Sequence, residues 1–326
     1  MDMDRFFDPR IHVVCGKGGV GKTTVAAAVA VVAARHGRAV CVAEVDRKGS
    51  FQRLFGADQP AYGPSEVSPG IWALKILPED ALAEYLKVQH HMRHISRILT
   101  NTHFIDYITT AAPGLKDILV LGKIWYLEQN RWSDSADQQF DTIIVDTPAS
   151  GHMLSFLSSP MGLADAVQTG PIRRQADWLI EMLRDPNRTR AHLVTLPEEM
   201  SVQETLETAA ALELKVRIDQ GFIFANAVLA PVFDDAELTT MSARTDDMLE
   251  RARDFGLALD DEDIAALQSY ARWLAARSLI QRQHLGALTK QLDQPVVELP
   301  YLFSAGLALP DVEILADAIE EQLEAL

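Results

Sequence analysis

Gly16-Lys17-Gly18-Gly19-Val20-Gly21-Lys22-Thr23 fits the pattern G-x-x-x-x-G-K-[ST], the spacing that lets a backbone wrap a phosphate group. Glycines allow successive N–H groups to point inward at phosphate oxygens, and the N-terminus of a following helix adds its positive end. Gly18, Gly19, Val20 and Gly21 would supply that cradle, Lys22 would neutralise phosphate charge, and Thr23 would ligate Mg²⁺, with Thr24 next to it in the helix. Lys17 is one lysine more than a phosphate loop needs. It reads either as a second cation on a transferring phosphoryl group, the part an arginine finger plays elsewhere, or as a solvated loop lysine.

Asp146 closes the apolar run Thr142 to Val145, where a carboxylate can hold the shell of a Mg²⁺ ion or cap the next helix. Gly151, five residues on, would let a backbone N–H come close to a γ-phosphate, making the segment a nucleotide-sensing switch. Asp46 follows a second apolar run and could orient or deprotonate an attacking water. Its neighbours Arg47 and Lys48 favour the ionised carboxylate, which weakens it as a base.

These residues need a sheet edge to meet on. Ile11 to Cys15, Ala39 to Val45, Ile71 to Ile76, Thr142 to Val145, His192 to Leu196, Gly221 to Ala225 and Val296 to Leu299 are strand candidates, separated by helix-length segments such as Thr23 to His36. Strands alternating with helices argue for an α/β fold, a mostly parallel, doubly wound sheet in one domain over residues 1–326. The stretches 77–132 and 152–190 exceed a minimal βαβ count and read as helical insertions forming a subdomain. A third helical block, 235–292, holds a helix candidate from Asp263 to Leu288 with Ile264, Leu267, Tyr270, Ala271 and Leu274 on one face.

Composition narrows the partners. The 326 residues are 48% apolar and 23% charged, the profile of an ordinary folded protein. Thirty Lys plus Arg against 46 Asp plus Glu leave a net charge of −16, the wrong sign for a nucleic-acid partner. The two cysteines, Cys15 and Cys41, lie inside apolar runs, which excludes a disulfide framework or zinc cage and suits a reducing cytoplasm. Met1 to Arg10 lacks a signal-peptide core, and Val25 to Ala34 is too short to span a membrane, so neither export nor stable membrane insertion is expected.

The string Gly16 to Thr24, GKGGVGKTT, resembles the deviant Walker A of the SIMIBI class of P-loop ATPases. Asp146 to Leu157, DTPASGHMLSFL, is similar to the switch II run of the ArsA and tail-anchored-protein targeting ATPases. Pro197-Glu198 through Glu204-Thr205 and Pro113-Gly114 resemble two further segments of that family. The resemblance implies an ATP- and Mg²⁺-dependent dimer in which Lys17 reaches the partner's ATP. In it Asp46 orients water, Thr23 ligates Mg²⁺, Asp146 joins its outer shell, and Asn226 with the loop after Pro300, beginning at Tyr301, touches adenine. Asn226 read alone, as an Asn closing a strand, is more often a turn residue.

Three departures qualify this. The family's switch I reads D-P-A-H, whereas this chain has Asp46-Arg47-Lys48-Gly49, so hydrolysis is expected to be slow or partner-dependent. A binding-module alternative follows: a weakly hydrolysing regulatory subunit that lends Lys17 to an active partner. The metal- and arsenite-binding cysteines of the family have no counterpart, and a single phosphate loop means a second subunit, in a homodimer or in a heterodimer with a paralogue. A hydrophobic protein client would need an apolar groove on 91–108, 115–127 and 153–183, with Met92, Met153, Met161 and Met182 as adaptable contacts. Packing against the chain's own sheet is the competing reading of those stripes. His90, His91, His94 and His103 cluster, with His90 and His94 on one helical face, and read as either a metal pair or a solvated surface.

Overall fold

A computed structural model describes residues 3–45, 50–57, 63–90, 114–129, 139–231, 233, 235–243 and 245–326. Asp46 with Arg47, Lys48 and Gly49, Met92, His91, His94, His103 and Pro113 lie outside the described residues. The eight-stranded sheet runs β3-β4-β2-β5-β1-β6-β7-β8. In chain order the strands are β1 (Ile11–Gly16), β2 (Val40–Glu44), β3 (Ser65–Ser68), β4 (Ile71–Lys75), β5 (Thr142–Asp146), β6 (Thr189–Thr195), β7 (Asp219–Val228) and β8 (Val296–Pro300). Seven apolar runs are the seven parallel strands, and β3 is an eighth that pairs antiparallel with β4. Its sequence, Ser-Glu-Val-Ser, has no apolar run to reveal it, because an edge strand is only half covered.

Alternation along β1 shows why the sheet is clothed on both faces. Val14 points into one core cluster with helix α2 (Lys22–Arg35) and helix α12 (Leu309–Ala325). Ile11, Val13 and Cys15 point into the other. That second core is completed by α5 (Leu115–Glu128), α6 (Ser150–Ala166), α7 (Pro171–Arg184) and α8 (Glu199–Ala211). Every residue of α2 from Thr24 to Ala33 is buried, since the helix lies between the sheet and α12. Its small, apolar sequence is what a helix covered all round requires. Cys15 and Cys41 are buried free thiols, and burial pushes both up to about 12.

The strand order reverses at β1, between β5 and β6. A crevice at the carboxyl ends of strands opens at such a point, and it is where ligands of this architecture bind. The phosphate-loop sequence follows β1 directly, so topology puts it there.

Helices α4 (Pro78–His90) and α5 fall within 77–132 and α7 within 152–190, while α6 begins two residues before the second stretch. Met153 and Met182 are fully buried core residues, and Met161 packs against the same core. Met153 and Met182 therefore face the core, as do the buried apolar residues of α5, α6 and α7. Outward on α7 stand Ile172 and Trp178, the latter stacked on Trp125 of α5 with ring centroids 5.3 Å apart. The long helix α11 (Asp261–Thr289) starts at a reciprocal cap between Asp260 and Asp263. Its Ile264, Ala271 and Leu274 are buried, but Leu267 and Tyr270 are exposed, correcting the expectation of one shared apolar face. Helices α9 (Asp235–Ala243) and α10 (Thr245–Asp254) pack on α11 and cover only part of it. No helix among the described residues is long and apolar enough to cross a membrane.

Candidate nucleotide site

Two glycines fix the phosphate loop. Gly16 has φ +153°, and a Cβ there would collide with the Val194 carbonyl of β6. Gly21, at φ +94°, would place a Cβ on the side-chain amide of Asn226. Both combine a left-handed backbone with a close neighbour, so only glycine fits. Gly18 faces Ala149, and Gly19 stands in open space. The Val20 side chain is anchored in the core, and Thr24 is buried in the first turn of α2.

Within this loop the Lys22 ammonium donates to the Lys17 carbonyl at 2.9 Å, folding across the loop it is expected to serve. The Thr23 hydroxyl donates to Asp146 Oδ2 at 2.6 Å. Asp146 is positioned by the register of β1 with β5, in which it pairs with Val14. The following residue locks that register, because the Thr147 hydroxyl donates to the Val14 carbonyl at 2.7 Å. A hydroxyl and a carboxylate so joined are hard oxygen donors of the kind Mg²⁺ takes beside water and phosphate. They therefore fit that ion.

Lys17 forms an ion pair with Glu204 of α8, Nζ to Oε2 3.2 Å. The other oxygen of Glu204 accepts the Ser150 hydroxyl at the start of α6. That hydrogen bond first, and then Lys17 and the charge of Lys22, hold the Glu204 carboxyl below its usual range. Sequence reading did not assign Glu204 a role, although the segment containing it stood out by resemblance. Only the fold brings α8 beside the loop.

On the other flank Asn226 donates to the Val20 carbonyl at 2.9 Å, and its own Oδ1 accepts the Ala227 N–H. Asn226 lies inside β7 and not at its end, at a register shift against β8 between Ala225 and Val228. Ala227 there adopts φ +59°. The Tyr301 N–H, just after Pro300, donates to the Val228 carbonyl at 2.9 Å. The structure thus brings Asn226, Pro300 and Tyr301 to one place beside the loop, with the Tyr301 ring exposed against Phe303. Gln281 of α11, also missed from sequence, donates to the Ala227 carbonyl and accepts the Leu229 N–H at 2.8 Å.

Gly151 sits in the first turn of α6, where an added Cβ would meet nothing within 4 Å, so nothing around it demands glycine. Asp46 lies outside the described residues. Two residues before it, Glu44 at the end of β2 is buried and accepts the Phe51 N–H of α3 (Ser50–Leu54) at 3.0 Å. His90 closes α4.

A mostly parallel sheet with a phosphate loop between β1 and α2, and a threonine–aspartate pair at the adjoining strand end, defines an α/β P-loop nucleotide-binding protein. Residues 9–172 match the family model of the anion-transporting ATPases. ATPase BagA of Mycobacterium tuberculosis is 30% identical over 325 residues, covering 96% of this chain and 93% of that protein. ATPase GET3C of Arabidopsis thaliana is 24% identical over 311 residues, 79% of this chain and 76% of its own. The arsenical pump-driving ATPase of Escherichia coli is 24% identical over 323 residues, 94% of this chain but 53% of that longer protein. The chain belongs to the anion-transporting ATPase family, and membership makes it an ATP hydrolase.

Proposed function

We propose that the chain is a cytoplasmic Mg²⁺-dependent ATPase that works as a nucleotide-gated dimer, with Lys17 of each subunit serving the nucleotide of the other. The observation that carries this reading is the Thr23–Asp146 contact of 2.6 Å, two oxygen donors joined at the end of the phosphate loop across which the Lys22 ammonium folds. Bound there, Mg²⁺ would supply charge neutralisation across the phosphates. The chain's own residues divide the remaining work. The loop N–H groups and Lys22 bind phosphate, Asn226 and Tyr301 border the base, and Asp46 orients water. Lys17 stands at the rim with about a third of its side chain exposed, within reach of a second subunit. That subunit is another copy or a paralogue.

The dimer would open and close a client surface on the helical stretches 77–132 and 152–190. Since Met153 and Met182 are core, the outward Ile172 and Trp178 of α7 are the apolar contacts a hydrophobic client would use. Arsenite is not the proposed cargo, because both thiols are sealed in the sheet. A second reading, a regulatory subunit that closes on ATP with little turnover, is favoured by the replacement of the family's switch I with Asp46-Arg47-Lys48-Gly49.

Steady-state ATP turnover with Mg²⁺, using Lys22→Ala as the blank, tests both. Turnover clearly above the blank supports the ATPase and excludes the regulatory subunit. Bound ATP with turnover at the blank supports the regulatory subunit, and full ATP affinity in Lys22→Ala removes the nucleotide site from the phosphate loop.

A further inference from the structure

The two oxygens of Glu204 hold two different elements. Oε2 pairs with Lys17 of the phosphate loop at 3.2 Å, and Oε1 accepts from Ser150, four residues beyond Asp146. Glu204 itself is fixed, since α8 is pinned at its start by Ser201, which accepts the Leu196 N–H at 3.0 Å and bonds to the Thr195 hydroxyl. Ser150 is buried, so that side of the carboxylate is held firmly. The Lys17 side is different. Lys17 and Glu204 are 37% and 32% exposed, and ion pairs open to water are easily exchanged.

Lys17 therefore already has a carboxylate partner within its own chain. A lysine that must serve a phosphate on another subunit has to leave it. We propose that Glu204 is a positioning residue for Lys17: it keeps the lysine on its own subunit until a nucleotide-bound partner competes for it, and through Ser150 it links that hold to the segment after β5. A nucleotide triphosphate presents several negative oxygens to one ammonium, whereas Glu204 offers one, so the exchange runs toward the nucleotide once a second subunit supplies it. The Glu204 carboxylate left behind keeps the Ser150 hydroxyl. This inference rests on the reading that Lys17 acts on the other subunit's nucleotide.

Glu204→Gln tests it cleanly, because glutamine still accepts from Ser150 through its carbonyl oxygen but loses the charge that holds Lys17. Dimer formation is read by sedimentation velocity against Mg²⁺ and adenylyl imidodiphosphate. The concentration of analogue giving half-maximal dimer should fall about two- to fivefold in Glu204→Gln, the scale of an exposed ion pair. Glu204→Asp should return it toward the wild-type value, which a purely structural role for the side chain would not do. Ser150→Ala, with the charge kept, should move it in the same direction by less, and thermal unfolding of each variant checks the fold. An unchanged or higher midpoint in folded Glu204→Gln overturns the assignment. If the wild type dimerises and Lys17→Ala abolishes turnover while Glu204→Gln behaves as wild type, only Glu204 loses its role. If the wild type forms no dimer with the analogue and Lys17→Ala turns over normally, the underlying reading of Lys17 fails, and this inference with it.

Discussion

Two polar pairs tie β1 or its loop to neighbouring elements, and they are built in opposite ways. At the loop, Lys17 meets Glu204 across 3.2 Å with both side chains about a third exposed. Within the sheet, His12 of β1 meets His192 of β6 at 3.0 Å, both fully buried. The Phe222 N–H donates to His192 Nδ1, which makes His192 Nε2 the donor to His12 Nδ1 and leaves both rings neutral. Phe6 and Phe222 flank the pair. An exposed ion pair contributes about 0.2–1 kcal/mol and can be traded for another. A sealed pair cannot be traded, and charging it is costly. The contrast separates a contact that can move with ligand from one that holds two central strands together.

The largest expected effect lies on the movable side. Lys17→Ala should lower ATP turnover about a thousandfold, the scale of removing a transition-state cation, while nucleotide affinity and melting temperature stay near wild type. Turnover and a nucleotide titration measure the split. A large loss of thermal stability in Lys17→Ala would break the comparison, because it would make this pair structural too.

The sealed side answers to pH instead. Burial lowers His12 from 6.5 to about 3, with Arg190 and Arg38 adding to it, and burial lowers His192 well below its ordinary value. Below pH 6.5 the unfolded chain takes up protons on these rings that the folded chain refuses. Stability from this site is complete above about 6.5 and is lost progressively as pH falls toward about 3. At pH 5 His12 alone should cost on the order of 2 kcal/mol. Urea unfolding at pH 7.5 and 5 measures it, and His12→Phe should flatten the dependence. A flat profile in the wild type would mean that the pair is not sealed.

How legible these regions were in the sequence follows from the kind of contact each needs. The phosphate loop was readable because its chemistry lies in eight consecutive residues, and Asp146 because a strand end adjoins it. Seven strands were readable from apolar runs. Glu204 and Gln281 were not, because each acts on a segment far away in the chain and nothing local marks it. β3 was hidden by its polar edge composition, and Leu267 and Tyr270 were misplaced because helical spacing marks a stripe without saying how wide a neighbour covers it. His12 and His192 lie in strands that pair side by side, a neighbourhood visible only once the sheet order is known.

Helix α11 repeats the comparison within one element. On its inner face Gln281 uses both ends of its amide on the strand end that carries Asn226, and Ser278 donates to the Leu229 carbonyl. Gln281→Leu keeps the volume but leaves the Leu229 N–H without its acceptor, which should cost about 1–3 kcal/mol. The midpoint of urea unfolding should fall with the slope unchanged. A cost under about 0.3 kcal/mol would show that this strand end does not depend on α11.

The smallest effect is expected on the outer face of the same helix. Tyr270 and Trp273 stack with centroids 5.8 Å apart, yet they are 48% and 57% exposed. A pair three residues apart on a helix surface contributes about 0.2–0.5 kcal/mol. Each ring gives back only part of its hydrophobic burial, because about half of it already faces water. The coupling between Tyr270→Ser and Trp273→Ser in a double-mutant cycle should therefore be no more than about 0.5 kcal/mol. The comparison with Gln281 is then between faces of one helix, with length, caps and propensity held nearly constant. A coupling above about 1 kcal/mol would mean that the aromatic face is covered in solution. Repeating the unfolding at tenfold lower protein concentration would separate the sources of that cover, since cover by a second copy weakens on dilution and cover from within the chain does not.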